Sequence, residues 1–171
     1  VTLLEESLCK WFAMKIGFND FSGGIAASGG TLSNLNALIA ARNNAGLGTN
    51  SNSVLLVSED AHSSFVKCIR VMGLDTTNLV RIKTDNQGRM DMNELKKSLE
   101  KCSIENKKIF AIVATLGTTV RGAIDPIKEI SEICKQRNIW LHIDGSIGGI
   151  FAITSIPIEG LNNIKQANSI T

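Results

Sequence analysis

The chain has only two histidines, and its four cysteines, Cys9, Cys68, Cys102 and Cys134, stand far apart with no C-x-x-C pair. A zinc centre needs clustered nitrogen or sulfur ligands, and a disulfide framework needs closely patterned cysteines, so neither is signalled and no metal is expected. The cysteines read as reduced and mostly buried. Long apolar runs are also missing. The longest are strand-length pieces such as Ile109 to Ala114, far short of the roughly 20 residues that a membrane helix requires. No charged-then-apolar leader opens the chain. Charge of one sign is lacking as well. The 18 Lys and Arg are scattered among 16 Asp and Glu, for a net charge of +2, which gives neither a basic stripe for nucleic acid nor a polybasic patch for a membrane surface. What remains is 171 residues, 43% hydrophobic and 20% charged, enough for one globular domain with a substantial core. A soluble, cytoplasmic protein is the simplest expectation. The chain opens inside a helical pattern and stops at the β-prone Ser169-Ile170-Thr171, so it reads as a fragment.

Leu3, Leu4, Leu8, Trp11 and Phe12 recur at helical spacing and predict a helix over Thr2 to Lys15, with Glu5 and Glu6 in the first turn, where the helix dipole favours acids. Gly17 ends it. The glycine-rich stretch Ser22 to Thr31 then opens a second helix reaching Arg42, with Leu32, Leu35, Leu38 and Ile39 on one face. Strands and helices alternate from there. The pattern predicts strands at Val54 to Val57, Leu79 to Ile82, Ile109 to Ala114 and Ile139 to Ile143, and helices at His62 to Met72, Asp91 to Lys101 and Asp125 to Arg137. Asp91 followed by Glu94 resembles a capping box, and Pro126 suits a first helical turn. This succession predicts an α/β fold, a mostly parallel sheet flanked by helices with right-handed connections.

Chemistry concentrates where predicted strands end. Trp140-Leu141-His142-Ile143-Asp144-Gly145-Ser146-Ile147-Gly148-Gly149 is an apolar strand that delivers one carboxylate, Asp144, to its C-terminal end and follows it with glycines. Open α/β sheets bind ligands at that edge. A buried carboxylate needs a cation or several donors, and no Lys or Arg lies in the stretch, so either a ligand or the next turn's N–H groups would complete it. Ser28-Gly29-Gly30-Thr31 offers an anion the free N–H groups of a helix start. It is not a P-loop, because Gly30 replaces the lysine, and Gly46-Leu47-Gly48 lacks a dinucleotide fingerprint. His62 follows a strand and reads as a helix-cap donor, an acid/base group or a stacking face. His142 shares a strand face with Asp144 and reads as a satisfied structural histidine. Thr115-Leu116-Gly117-Thr118-Thr119 ends another strand. A parallel sheet would bring Thr115, Asp144 and His62 to one edge.

Ala27 to Leu35, Ala61-His62-Ser63-Ser64, Thr115 to Thr119 with Gly122-Ala123-Ile124-Asp125-Pro126, and His142 to Ser146 together resemble the pyridoxal-phosphate-dependent group II amino-acid decarboxylases. These include glutamate, aromatic amino-acid and 2,4-diaminobutyrate decarboxylases. The resemblance spans nearly the whole chain. It implies a partial large domain of the aspartate-aminotransferase-like, fold type I architecture, and a lyase that removes the carboxylate of an amino acid with pyridoxal 5'-phosphate. It further implies that Gly30 and Thr31 hold the cofactor phosphate, His62 stacks on the ring, Thr115 lies beside it and Asp144 pairs with the ring nitrogen. Ser146 stands where the family often has alanine beneath the ring. Asn168-Ser169-Ile170-Thr171 matches the lead-in to the family's cofactor-linking lysine. That lysine and a small C-terminal domain are therefore expected beyond Thr171, residues 1–171 alone should be inactive, and the complete protein should be a homodimer. The alternatives are a carbon–carbon lyase or desulfurase of the same fold, or a non-catalytic remnant.

Overall fold

The computed structural model describes residues 2–48 and 52–171. Five strands, β1 (Ser53–Ser58), β2 (Leu79–Ile82), β3 (Lys108–Thr115), β4 (Trp140–Asp144) and β5 (Ser169–Ile170), form one sheet in the order β2-β1-β3-β4-β5. Every neighbouring pair is parallel. The helices are α1 (Thr2–Lys15), α2 (Gly30–Asn44), α3 (Ser64–Val71), α4 (Met92–Ile104) and α5 (Ile127–Arg137), with short 3-10 segments at Thr76–Asn78, Gly149–Ile153 and Leu161–Gln166.

Strand alternation sorts the core onto the two faces. Val54 and Leu56 of β1 join Leu95 and Leu99 of α4 and Ile130 of α5. Leu55 and Val57 join Leu38 of α2 and Phe65 and Ile69 of α3. In β3 the alternation slips once. Phe110 and Ala111 both face α2 and α3, because the pairing register with β1 shifts between Val54 and Leu55. In β4, Leu141 and Ile143 pack toward α4 and α5, which turns His142 and Asp144 toward α2.

The expected bounds of Thr2–Lys15 and Leu79–Ile82 are those observed, and Gly17 ends α1 at φ 84°. Other elements differ from expectation. The third helix starts at Ser64, leaving His62 in the loop before it. Pro126 is the N-cap of α5 rather than its first residue: its carbonyl accepts the first helical bond, from Ile130 N at 3.0 Å. Asp91 caps α4 by accepting from Asn93 N and Glu94 N, but the reciprocal half of a capping box does not form. Asp91 N donates to Lys83 O and Glu94 turns outward to Lys97. On α2 the buried residues are Asn34, Leu38 and Ala41 while Leu32 is exposed, so the buried stripe is rotated from the expected leucine face. The apolar residues of α1 form a helix that buries only Ala13 among the described residues.

Candidate functional site

At the C-terminal edge of the sheet, Gly30, Thr31, His62, Thr115, Asp144 and Ser146 line one cavity of about 240 Å³, together with Asn34 and Thr119. The edge collects them because β1, β3 and β4 all run the same way, and the register sets Thr115 beside Asp144.

Asp144 is the buried charge of this cavity, 5% exposed. Its Oδ1 accepts from Ser146 Oγ at 2.7 Å and Ser146 N at 3.2 Å, and its Oδ2 accepts from Asn34 Nδ2 at 3.1 Å. The turn-capping role is thus real, but it occupies one oxygen only. No Lys or Arg among the described residues pairs with Asp144, and none lines the cavity. A buried carboxylate with three neutral donors and no cation suits a cationic group inside the cavity.

Helix α2 points its N-terminus at the same space. The N–H groups of Gly30 and Thr31 have no backbone acceptor among the described residues, the first helical bonds being those of Leu32 and Ser33 to Gly29 O. Free N–H groups and the positive end of the dipole make an anion cradle there. A side chain at Gly30 would displace Ser146 from Asp144: a Cβ would stand 2.6 Å from Ser146 Oγ. The Ser146 hydroxyl therefore both orients Asp144 and sets how close α2 approaches β4.

His62 sits at the exposed rim, and its Nδ1 accepts from Ser64 N at 3.2 Å. It is a cap acceptor rather than the donor that the cap reading supposed, and it lines the cavity too. Accepting at Nδ1 leaves the proton of the neutral ring on Nε2. The Thr115 hydroxyl is buried with no hydrogen-bond partner. Unpaired buried hydroxyls are uncommon, and this one belongs to a residue of the cavity wall.

The Thr115 backbone is held by a residue that the sequence marked only as a helix start. Asp125 accepts from Thr115 N and Met90 N, each at 2.7 Å, and so ties the end of β3 to the loop before α4. Burial pushes the Asp125 carboxyl up to about 6, against the pull of those two N–H bonds. A carboxyl raised on folding stabilises most below its unfolded value of 3.8, and that contribution is lost as pH rises through about 6. The stability difference between Asp125→Asn and wild type should therefore move in the variant's favour by roughly 2 kcal/mol from pH 4 to pH 7. Denaturation midpoints of both proteins across that range check this, and a pH-independent difference would assign the titration elsewhere.

Asn34 and His142 complete the site from behind. His142 is fully buried, with Nε2 at 2.9 Å from Asn34 Oδ1 and Nδ1 at 2.9 Å from Ser169 Oγ. Trp140 Nε1 donates to the same Ser169 oxygen at 2.8 Å. Burial lowers His142 to about 4, so it is a neutral, satisfied histidine, as the strand pattern suggested. Asn34 is the residue that sequence reasoning missed. Its one signal was position: it lies four and seven residues before the buried Leu38 and Ala41, on the same helix face.

The whole chain, residues 1–171, matches the pyridoxal-dependent decarboxylase conserved domain. It is 32% identical over 168 residues to the aromatic-L-amino-acid decarboxylase of Bacillus atrophaeus, covering 98% of this chain and 35% of that protein. It is 30% identical over 190 residues to the L-2,4-diaminobutyrate decarboxylase of Acinetobacter baumannii, covering 99% and 37%. Among solved structures, the tryptophan decarboxylase of Catharanthus roseus in complex with L-tryptophan superposes with a TM-score of 0.89 at 28% identity, covering 99% of this chain and 39% of that one. The chain thus spans little more than a third of the length of these relatives. The parallel sheet and its flanking helices are part of the fold type I large domain shared with such decarboxylases. By the match along its full length, the chain belongs to the pyridoxal-dependent decarboxylase family.

Proposed function

We propose that the complete protein is an amino-acid carboxy-lyase dependent on pyridoxal 5'-phosphate, to which these residues contribute much of the cofactor-binding large domain. The observation that carries the reading is Asp144, a buried carboxylate without a cation, facing the same cavity as an empty-handed helix N-terminus. A cofactor with an anionic phosphate at one end and a basic ring nitrogen at the other matches both features. The Gly30 and Thr31 N–H groups would hold the phosphate, and Asp144 the protonated ring nitrogen. The rim position of His62 suits a face on the ring, and the unpartnered Thr115 hydroxyl supplies a polar contact at its edge. Bound there, the cationic ring would accept the electron pair released when the substrate's Cα–carboxylate bond breaks.

The protein's own residues act by positioning and electrostatics. Asp144 keeps a proton on the ring nitrogen, because a neutral partner would leave its buried charge uncompensated. Ser146 and Asn34 fix the direction in which its oxygens point. Leu3, Leu4, Leu8 and Met14 on α1 are exposed, and apolar surface of that kind is normally covered. This supports placing the segment in a larger assembly, which we take to be a homodimer. Assaying the complete protein against a panel of amino acids tests the reading: carbon dioxide should be released from at least one. A protein that binds the cofactor yet decarboxylates none would refute it. In the same assay His62→Phe should retain much of the cofactor affinity through its flat ring and lose turnover by about tenfold or more. A kinetically silent His62→Phe would confine His62 to capping α3.

A further inference from the structure

The groups behind Asp144 form a continuous series whose donors and acceptors have a fixed order. Asn34 Nδ2 faces a carboxylate oxygen, Asp144 Oδ2, at 3.1 Å. The amide must donate there, since turning it over would set its oxygen against the carboxylate oxygen and lose the bond. That leaves Asn34 Oδ1, an acceptor only, toward His142 Nε2 at 2.9 Å. His142 Nε2 must then carry the ring's proton. In a neutral imidazole the other nitrogen, Nδ1, is an acceptor, and its neighbour Ser169 Oγ at 2.9 Å donates to it. Ser169 can do so because its oxygen receives the Trp140 Nε1 hydrogen at 2.8 Å, leaving its own hydrogen free. The order follows once Asp144 is a carboxylate and Asn34 donates to it; the Ser169 backbone carbonyl, which also faces the ring, is the competing acceptor. The order runs Trp140, Ser169, His142, Asn34, Asp144, from β4 and β5 through the interior to the cavity.

We propose that Asn34 and His142 are positioning residues for Asp144: Asn34 fixes His142 as the Nε2–H tautomer and aims the Asp144 carboxylate into the cavity, and Ser169 of β5 anchors the far end of the series. The role of Asp144 toward a ring nitrogen rests on the function proposed above; the proton arrangement does not. Geometry favours a positioning role over simple packing. Asn34 and His142 are 1% and 0% exposed, and such space is more cheaply filled by apolar side chains unless a polar series is complete. Here it is complete from the indole to the carboxylate. His142 does not line the cavity, so it acts on the site only through Asn34.

The test uses the complete protein labelled with 15N-histidine, prepared without cofactor, with His142 assigned by a His142→Gln variant and by its one-bond couplings. The wild type should show Nε2 protonated and Nδ1 bare; the opposite tautomer, or an averaged mixture, would overturn the proposal without any variant being needed. Asn34→Leu removes the acceptor at Nε2. Thr171 Oγ1, 3.5 Å from that nitrogen, is then its nearest remaining polar neighbour and a weak one in either role, so the preference for Nε2–H should be lost and the Nδ1–H form, donating toward Ser169, should become populated. Ser169→Ala should leave the proton on Nε2, because Asn34 still accepts it. A His142 tautomer unmoved by Asn34→Leu would show that Asn34 does not set it. Cofactor affinity supplies the second reading. Loss of a hydrogen bond to a charged group should weaken it at least about tenfold in Asn34→Leu, and an unchanged affinity would reduce Asn34 to packing. If the wild type bound no pyridoxal phosphate at all, the proposed function would fall while the tautomer measurements still decided the proton arrangement.

Discussion

Asp144→Ala is expected to remove decarboxylation from the complete protein, a loss of at least about 10²–10³ in kcat/KM, while the sheet survives. The two effects separate because the carboxylate does different things for the fold and for the site. For the fold it satisfies Asn34 Nδ2 and the Ser146 N–H, and leaving a buried donor unpaired costs about 1–3 kcal/mol, a tolerable fraction of a domain's stability. In the cavity it is the only acidic side chain among the lining residues, so nothing there can take over its charge. Asp144→Asn separates the two effects further: it keeps the shape and loses the charge, at the cost of one acceptor oxygen, which Asn34 can offset by turning its amide over. Both variants should be equally inactive, with Asp144→Asn the better folded. Turnover near the wild-type rate in either, with circular dichroism unchanged, would remove Asp144 from the mechanism.

Gly148→Ala should be the most damaging single-methyl change in this segment. A Cβ there would run into the carbonyl oxygen and Cγ of Leu116, and Gly148 N already donates to that carbonyl at 2.9 Å. Backbone cannot step aside as a flexible side chain can. Overpacking together with loss of that hydrogen bond puts the cost at roughly 2–4 kcal/mol. The strain falls between the turn after β3 and the turn after β4, the two turns that flank the cavity, so cofactor affinity should fall along with stability. Gly149→Ala is the control. Its Cβ would find its nearest neighbours at 3.6 Å and 3.9 Å, ordinary contacts, and thermal melting should barely move. Equal melting temperatures for the two variants would show that the turns can shift freely.

The sequence made the sheet legible because β1 and β3 are apolar on both faces and are separated by segments of helical periodicity. It made the strand-end residues legible because a parallel sheet sends them to one edge wherever each strand begins. Helix faces were harder to read. The apolar residues of α1 form a stripe by spacing alone, yet only Ala13 is buried, since periodicity reports a face without reporting what covers it. On α2 the leucines drew attention from Asn34, whose burial follows from a partner 110 residues away. Asp125 was hidden for a related reason. Its position just before a proline marks a helix start, whereas its carboxylate is used by Met90 N and Thr115 N, 35 and 10 residues away.

The hydrogen bonds behind Asp144 also bear on how the chain folds. They join α2 to β4 and then to β5, the last strand of the segment, so nothing local rewards Asn34 for being buried when its helix first forms. At ribosomal speed α2 emerges on the order of ten seconds before β5 is available. During that interval the amide and the apolar residues beside it have no native partners, and long-range parallel pairing is slow to supply them. Docking of β5 against β4 should therefore be a late step in refolding. A ligand selective for the finished fold would drain the unfinished states toward it. At a concentration one hundredfold above its dissociation constant that ligand adds about 2.7 kcal/mol, so supply of the cofactor would shift the balance between finished and unfinished chains.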